Sequence, residues 1–502
     1  MRRHFGVRLV LLLFCCCVTL PGHAQGNQPS KVLVIDASAP SHAFPHFWEK
    51  MFGSGRAILS LRDSYRTDLR TVKKITGFSY VRFYGILNDE VGIYDENAQG
   101  QPLYNFSYVD QIYDGLLANG VRPIVEISFM PNKLASTTTS HSFWYKPNVS
   151  PPKDWARWDG LISAFTQHLL DRYGVDEVSQ WYFEVWNDPN RDSWVGQPKQ
   201  TTYWDLYDHT ALAIKHVNRR FRVGGPATAQ AAWVDAFIRH CVEKNIPVDF
   251  ASTHVYGNDS ADDVLGSQED IPRDQIVWRA VDKVHKQIKA SSLPRLPLIW
   301  SEFNASYKNE PSITDSIFMG PWLANTIRQC DGLVDIMSYR TFSDVIEEQG
   351  VVKTPFYGGY GLIGADSIPK PAFNAFWVLH KLGEYRIQLD SDSAILTRRR
   401  DGTLALAVWN YSPPEQEGSP ITLNFELKGT NPTHAFVWRV DHDHGDFHQA
   451  YAKMNSPRYP TPGQIEELRV AGQLPSPERG SLHGGRLTIT LPSYGLALIE
   501  LK

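Results

Sequence analysis

The chain has 502 residues, enough for one large core and a smaller second one, so one to three domains. Fifty Lys and Arg stand against 54 Asp and Glu, a formal charge of −4. That balance excludes the basic field that nucleic acid or a polybasic membrane contact requires. Aromatic residues reach 12 %, with 15 Trp, and such rings serve sugar stacking and large cores alike.

The first element is "MRRHFGVRLVLLLFCCCVTLPGHAQG". Arg2, Arg3 and Arg8 precede an apolar stretch over Leu9–Leu20, and Gly22-His23-Ala24 follows. This is the shape of a secretory signal over 1–24, and the protein is expected to be exported, periplasmic or secreted, with no membrane attachment after cleavage. The apolar run is shorter than the ~20 residues of a spanning helix. Acylation at one of Cys15–Cys17 is the alternative fate. Cys241 and Cys330 remain beyond that segment, which allows one disulfide and no disulfide framework.

Between about residue 30 and 385, short apolar strands alternate with amphipathic stretches. The expected strands are 78–85, 122–129, 181–187, 221–227, 248–256, 296–303 and 334–342, with one more hidden before residue 60. Between them run helical patterns such as 201–218, where Tyr203, Tyr207, Ala211, Ile214 and Val217 form one stripe. Eight such units predict an α/β fold, a (β/α)8 TIM barrel over 25–386. A doubly wound open sheet is the rival, but no G-x-G-x-x-G or P-loop supports one. From 387 to 502 the apolar period becomes two, in "LALAVWNY", "ITLNFEL", "HAFVWRV", "GRLTITL" and "YGLALIEL". An appended C-terminal β-sandwich domain is expected there. The run "DHDHGDFH" at 441–448 reads as a solvated loop rather than a metal site. No Cys/His spacing suggests zinc, and no cofactor is expected.

In a barrel of this kind the C-terminal strand ends face the active-site mouth. Those ends carry Arg82, Tyr84, Glu126, Asn187, Asp188, His254, Tyr256, Glu302 and Tyr339. Paired carboxylates with supporting His, Tyr and Asn suit glycoside hydrolysis, in which one carboxyl protonates the leaving oxygen and another attacks or stabilises the sugar cation. Pro189 pushes Asp188 out of the helical region, so Asp188 is expected to stay extended. As a structural alternative, Glu302 pairs with a barrel arginine such as Arg82, and Glu184 reads as scaffold that reaches a neighbouring arginine. The segment 131–153 is expected to shape the cleft, with Trp144 and Tyr145 as platforms.

The stretches "FGSGRAILSLRDSYRTDL", "YVRFYGIL", "WYFEVWNDPN", "STHVY", "LIWSEFN", "SYRTFSD" and "GLIGADSIPKPAFNAF" together resemble glycoside hydrolase family 39, which includes β-xylosidases and α-L-iduronidases. The resemblance implies a retaining hydrolase with Glu302 as nucleophile and Asp188 as acid/base. It implies Asn187, His254 and Tyr256 as residues that bind the sugar or support the nucleophile. Tyr84, Tyr339 and Arg340 complete the expected substrate contacts. A β-xylosidase-like activity on a carbohydrate substrate is expected. A uronidase or oligosaccharide-releasing enzyme and a weakly active carbohydrate-binding homologue stand as alternatives.

Three departures from the family pattern carry weight. The acid/base of the family is usually Glu, and the shorter Asp188 withdraws the carboxyl by roughly 1.5 Å, one C–C bond. Tyr84 stands where the family often has His. Arg340 stands where it often has Trp, and its guanidinium either receives an anionic sugar group or turns away to pair with Asp344 or Glu347.

Overall fold

The computed structural model describes residues 30–352, 354–482 and 484–502, so the signal segment and Cys15–Cys17 lie outside the described residues. Eight parallel strands close into a barrel in chain order. They are β1 (Met51–Gly53), β2 (Tyr80–Phe83), β3 (Arg122–Ile127), β4 (Tyr182–Val185), β5 (Arg222–Ala229), β6 (Phe250–His254), β7 (Leu298–Phe303) and β8 (Ile336–Tyr339). The strand hidden before residue 60 is the three-residue β1, too short to show a period of its own.

One main helix follows each strand. These are α1 (Asp63–Thr76), α2 (Ser107–Leu117), α3 (Trp155–Tyr173), α4 (Lys199–Val217), α5 (Val234–Lys244), α6 (Arg273–Ala290), α7 (Met319–Cys330) and α8 (Pro371–His380). Pro371 opens α8 at a position where a missing N–H costs nothing. Cys241 on α5 and Cys330 on α7 are both buried free thiols, so the permitted disulfide does not form.

The barrel interior is layered by chemistry. Met51, Ile124, Phe250, Ile299 and Ile336 plug its N-terminal end, with Tyr80 and Tyr182 packed against them. Two residues further along three of these strands come Arg82, Glu126 and Glu184, all buried. A strand's period of two therefore converts an apolar floor into a charged layer beneath the mouth.

The accessory unit is a two-sheet sandwich, but it is not built from the C-terminal stretch alone. A seven-stranded sheet runs in the order Ser41–Ala43, β9 (Tyr385–Ile387), β10 (Ala394–Arg398), β11 (Leu404–Trp409), β16 (Leu496–Leu501), β13 (Ala435–Val440), β14 (Glu478–Gly480). The second sheet places β12 (Ile421–Lys428) between β15 (Arg486–Leu491) and the N-terminal strand Ser30–Asp36. Residues 30–43, expected in the barrel domain, thus belong to the sandwich. The reason is visible in the packing: Leu33 and Ile35 bury themselves beside Leu423, Phe425 and Leu487 in the sandwich core. No described helix is long and apolar enough to cross a membrane.

Candidate active site

At the end of β4 the chain turns sharply, and the turn differs from the extended one expected. Trp186 and Asp188 take φ of 72° and 52°, so Asp188 is left-handed rather than extended. Pro189 bars the right-handed helical region to Asp188, and the left-handed well, which Asp tolerates better than most residues, is the one occupied. Three bonds fix the turn. The Trp186 N–H donates to Ile127 O at 3.2 Å, the Asp188 N–H to Ala227 O at 2.9 Å, and the Trp186 indole to Ser193 O at 2.7 Å. Asp188 is thereby held at the mouth, its side chain 26 % exposed, with Oδ1 2.7 Å from His254 Nε2.

His254 and Glu302 reach the mouth through irregularities in the barrel. The β6–β7 register shifts at Thr253/His254, and the β7–β8 register shifts between Trp300 and Phe303. Such bulges re-aim side chains that a regular pleat would direct elsewhere. Glu302 is buried, and both of its oxygens are engaged. Oε1 accepts from Arg82 Nη1 at 2.6 Å, and Oε2 accepts from Arg340 Nη1 at 2.7 Å and from the Tyr256 hydroxyl. Burial alone would raise its pKa, but Arg340, His254, Arg82 and the Tyr256 bond outweigh burial and hold the carboxyl well below the usual range.

Arg82 organises the layer underneath. Its guanidinium donates to Glu184 at 2.5 Å and to Asn187 Oδ1 at 3.0 Å, and stands 2.7 Å from Glu126 Oε2. One cation therefore faces three carboxylates, counting Glu302. Burial pushes Glu126 up to about 8, against the pull of Arg82. Burial also disfavours charge on His254, but Asp188 and Glu302 outweigh it and raise the affinity of His254 for a proton.

The mouth opens into a cavity of about 720 Å³ lined by Asn187, Asp188, His254, Tyr256, Glu302 and Arg340, together with His141, Phe143, Tyr307, Glu348 and Tyr360. Six of the eight site residues expected from sequence are thus gathered at one cavity. Over 94 % of this chain and 99 % of the other, the fold superposes with a TM-score of 0.85 on a monomeric β-xylosidase from Caulobacter crescentus CB15 that is 32 % identical. The GH39 enzyme from Xanthomonas axonopodis pv. citri superposes with a TM-score of 0.84 at 30 % identity, covering 96 % of this chain and 99 % of that one. A β-xylosidase of Geobacillus stearothermophilus is 35 % identical over 475 residues, 91 % of this chain and 93 % of that one. The family model for glycosyl hydrolases family 39 matches residues 31–481. The chain belongs to that family.

As a family 39 glycosidase, β-xylosidase-like in sequence and fold, the chain departs from expectation at four places. Tyr339 is fully buried between Phe303 and Phe376, at ring distances of 5.7 and 5.2 Å, and faces the helix layer rather than the sugar. It pairs in register with Phe303, so both point outward on neighbouring strands. Tyr84 is also buried; its hydroxyl donates to Glu348 and lies 3.3 Å from Arg340 Nη2, which makes it a support behind the cavity wall. Arg340 does not turn away. It bridges Glu302 and Glu348, with the rings of Tyr84 and Tyr360 5.6 and 5.5 Å away. Asp344 is taken by Lys370, and Glu347 by Arg56 and Arg62.

The fourth departure concerns the loop after β3. Trp144 is 56 % exposed, and Tyr145 is covered by Arg56, whose guanidinium lies 4.5 Å from the ring centre. The ring that this loop presents to the cavity is Phe143, stacked on Tyr84 at 5.8 Å. Asn148 ties the loop base by donating to Thr137 O at 2.8 Å and Asn132 Oδ1 at 3.2 Å. Phe143, Tyr307, Glu348 and Tyr360 were not legible as site residues, because loops carry no period. The aromatic density of "SFWY" was the one available signal. Within 441–448, His444 lies 2.6 Å from Asp441, and Asp446 takes both His448 at 2.5 Å and His442 at 3.7 Å.

Proposed function

We propose that this family 39 enzyme is an exported, retaining β-xylosidase in which Glu302 is the nucleophile and Asp188 the acid/base. The observation that carries this reading is the division of labour at the mouth. Glu302 is held ionised by two arginines and Tyr256, while Asp188 sits beside His254, whose affinity for a proton is raised, and is the more exposed partner of that pair. In the first step a Glu302 oxygen attacks the anomeric carbon as the glycosidic C–O bond breaks. The leaving oxygen takes a proton through Asp188, and a glycosyl ester remains on Glu302. In the second step Asp188 removes a proton from water, the water oxygen bonds to the anomeric carbon, and the ester C–O bond breaks. The β-xylosidase relatives and the signal-like N-terminus support the sugar and the export.

Arg340 is the feature that favours a uronate reading, and its surroundings weaken it. Both of its terminal nitrogens are already bound by Glu302 and Glu348. The cavity lining also carries Asp188, Asp192, Asp259 and Asp263 against the single further cation Arg191 and two histidines. That field repels a sugar carboxylate and suits a neutral pentose. The deciding experiment is hydrolysis of aryl β-xyloside by the wild type and by Glu302→Gln, with proton NMR of the first-formed anomer. Loss of turnover in the variant and initial β-xylose are expected. Undiminished activity of the variant, or initial α-xylose, would sink the assignment. Wild-type inactivity would leave a carbohydrate-binding homologue. N-terminal sequencing of protein from the culture medium or periplasm tests cleavage after Ala24.

A further inference from the structure

At the opposite end of the barrel from the mouth, three side chains meet that the proposed chemistry does not use. His46 caps and Glu49 ends the turn Phe47–Glu49 that leads into β1, and His380 ends α8. His46 Nδ1 and His380 Nδ1 lie 2.7 and 2.8 Å from the same oxygen, Glu49 Oε1. One ligand atom from each residue lies within 4.8 Å of the others. Glu49 is 4 % exposed, and its second oxygen, Oε2, is buried with no hydrogen-bond partner.

An unpaired carboxylate oxygen in a buried position is costly, and a donor or a cation removes that cost. We infer that His46, Glu49 and His380 form a divalent transition-metal site, zinc by ligand type, that clips the lead-in to the first barrel strand onto the last barrel helix. Two imidazoles and a carboxylate are a zinc donor set, and ligation by Glu49 would bring a cation beside the otherwise unpaired Oε2. Tetrahedral zinc at about 2.0–2.1 Å from each ligand needs ligand atoms about 3.3 Å apart, so each His–Glu pair opens by roughly half an ångström. His380, with a side chain 42 % exposed, supplies the entry path and leaves room for a water ligand.

The test uses the whole protein and zinc ion alone. After stripping with chelator, wild type and His380→Ala are titrated with zinc by calorimetry, and their zinc content is measured by mass spectrometry after desalting. Wild type is expected to keep about one zinc per chain and to gain thermal stability from it, and His380→Ala to bind at least about tenfold more weakly. Glu49→Gln, which keeps the shape of the side chain, should lose the zinc-dependent gain as well. Cobalt substitution should give the visible absorption of a tetrahedral site in wild type alone. Absence of bound zinc overturns the site, and equal binding by wild type and His380→Ala places the ion elsewhere and overturns it too. Hydrolysis by His380→Ala should match wild type, because the site lies at the far end of the barrel from the mouth.

Discussion

Asp188 carries two constraints at once: a left-handed backbone and a side chain one methylene shorter than the family's usual residue. In the proposed acid/base role, replacing it with Glu extends the carboxyl toward the leaving oxygen but places a residue less tolerant of φ near 52° in that turn. Because a misplacement of about 1 Å costs about a hundredfold, Asp188→Glu is expected to raise kcat/KM at least about tenfold for alkyl xylosides. Those substrates need full protonation, and nitrophenyl xylosides, which need little, should change less than about threefold. Equal ratios on both substrates would show that Asp188 already reaches. Arg340 poses the complementary question. Arg340→Gln leaves Glu348 buried without its cation, and truncation of one member of a buried pair costs about 3–5 kcal/mol. Arg340→Met combined with Glu348→Gln removes both charges of that pair and should recover the Glu348 share of the loss in chemical denaturation, Glu302 having lost Arg340 in both variants. Additive losses would exclude the coupling. Asp188, His254 and Glu302 were legible because each ends an apolar strand. Tyr339 misled for the same reason, since position at a strand end does not reveal which side of the sheet a ring takes.

Among the elements, the connection from β8 to α8 decides the shape of the cavity wall. It carries Arg340, Glu348 and Tyr360, and it is anchored by a fully buried ion cluster. Lys370 Nζ donates to Asp315 Oδ1 at 2.7 Å, to Asp344 Oδ2 at 3.1 Å and to Gly359 O at 2.8 Å. Asp344 in turn accepts the Gly361 N–H at 2.6 Å. At Gly359 a Cβ would stand 2.3 Å from Asp344 Oδ1, so the loop packs against that carboxylate only because no side chain intervenes. Lys370→Met leaves two buried carboxylates without a cation, and a loss of about 3–5 kcal/mol is expected. The same variant should lower kcat/KM on aryl xylosides beyond what residual folding explains, since Arg340 and Glu348 hang from this loop. A fully folded variant with unchanged kcat/KM would separate the cluster from the site. None of this was visible in the sequence, where Asp344 looked like a partner for Arg340. Helices and strands announce themselves by period, whereas a loop is specified by contacts between residues far apart in the chain.

Across the whole molecule, the seven legible strands with their alternating helices and the change to period two after residue 387 were enough to give barrel and sandwich. The recruitment of Ser30–Asp36 into the sandwich was not, because a parallel partner nearly 400 positions away, Thr422–Lys428, leaves no local trace. The same packing that buries the charged layer sets how stability depends on pH. Burial raises Asp68, on α1 beneath Ser343 and Ser367, to about 6, and Glu126 to about 8. Unfolded Asp and Glu titrate near about 3.9 and 4.3, so between those values and the folded ones the native state binds more protons than the unfolded state. Stability contributed by these two groups is therefore fully present in acid and lost as pH rises, through about 6 for Asp68 and about 8 for Glu126. The raised His254 acts in the same direction, its contribution lost as pH rises through its folded value. Glu302 runs the other way: its depressed pKa contributes stability above the unfolded value that is lost only in stronger acid. The melting temperature should accordingly peak on the acid side of neutrality, near about pH 5, and fall toward pH 8. Asp68→Asn should flatten the slope between about pH 4 and 6, and Glu126→Gln the slope between about pH 5 and 8, as measured by scanning calorimetry in matched buffers. A melting temperature that rises from pH 5 to 8 in the wild type would contradict the raised proton affinities of Asp68 and Glu126.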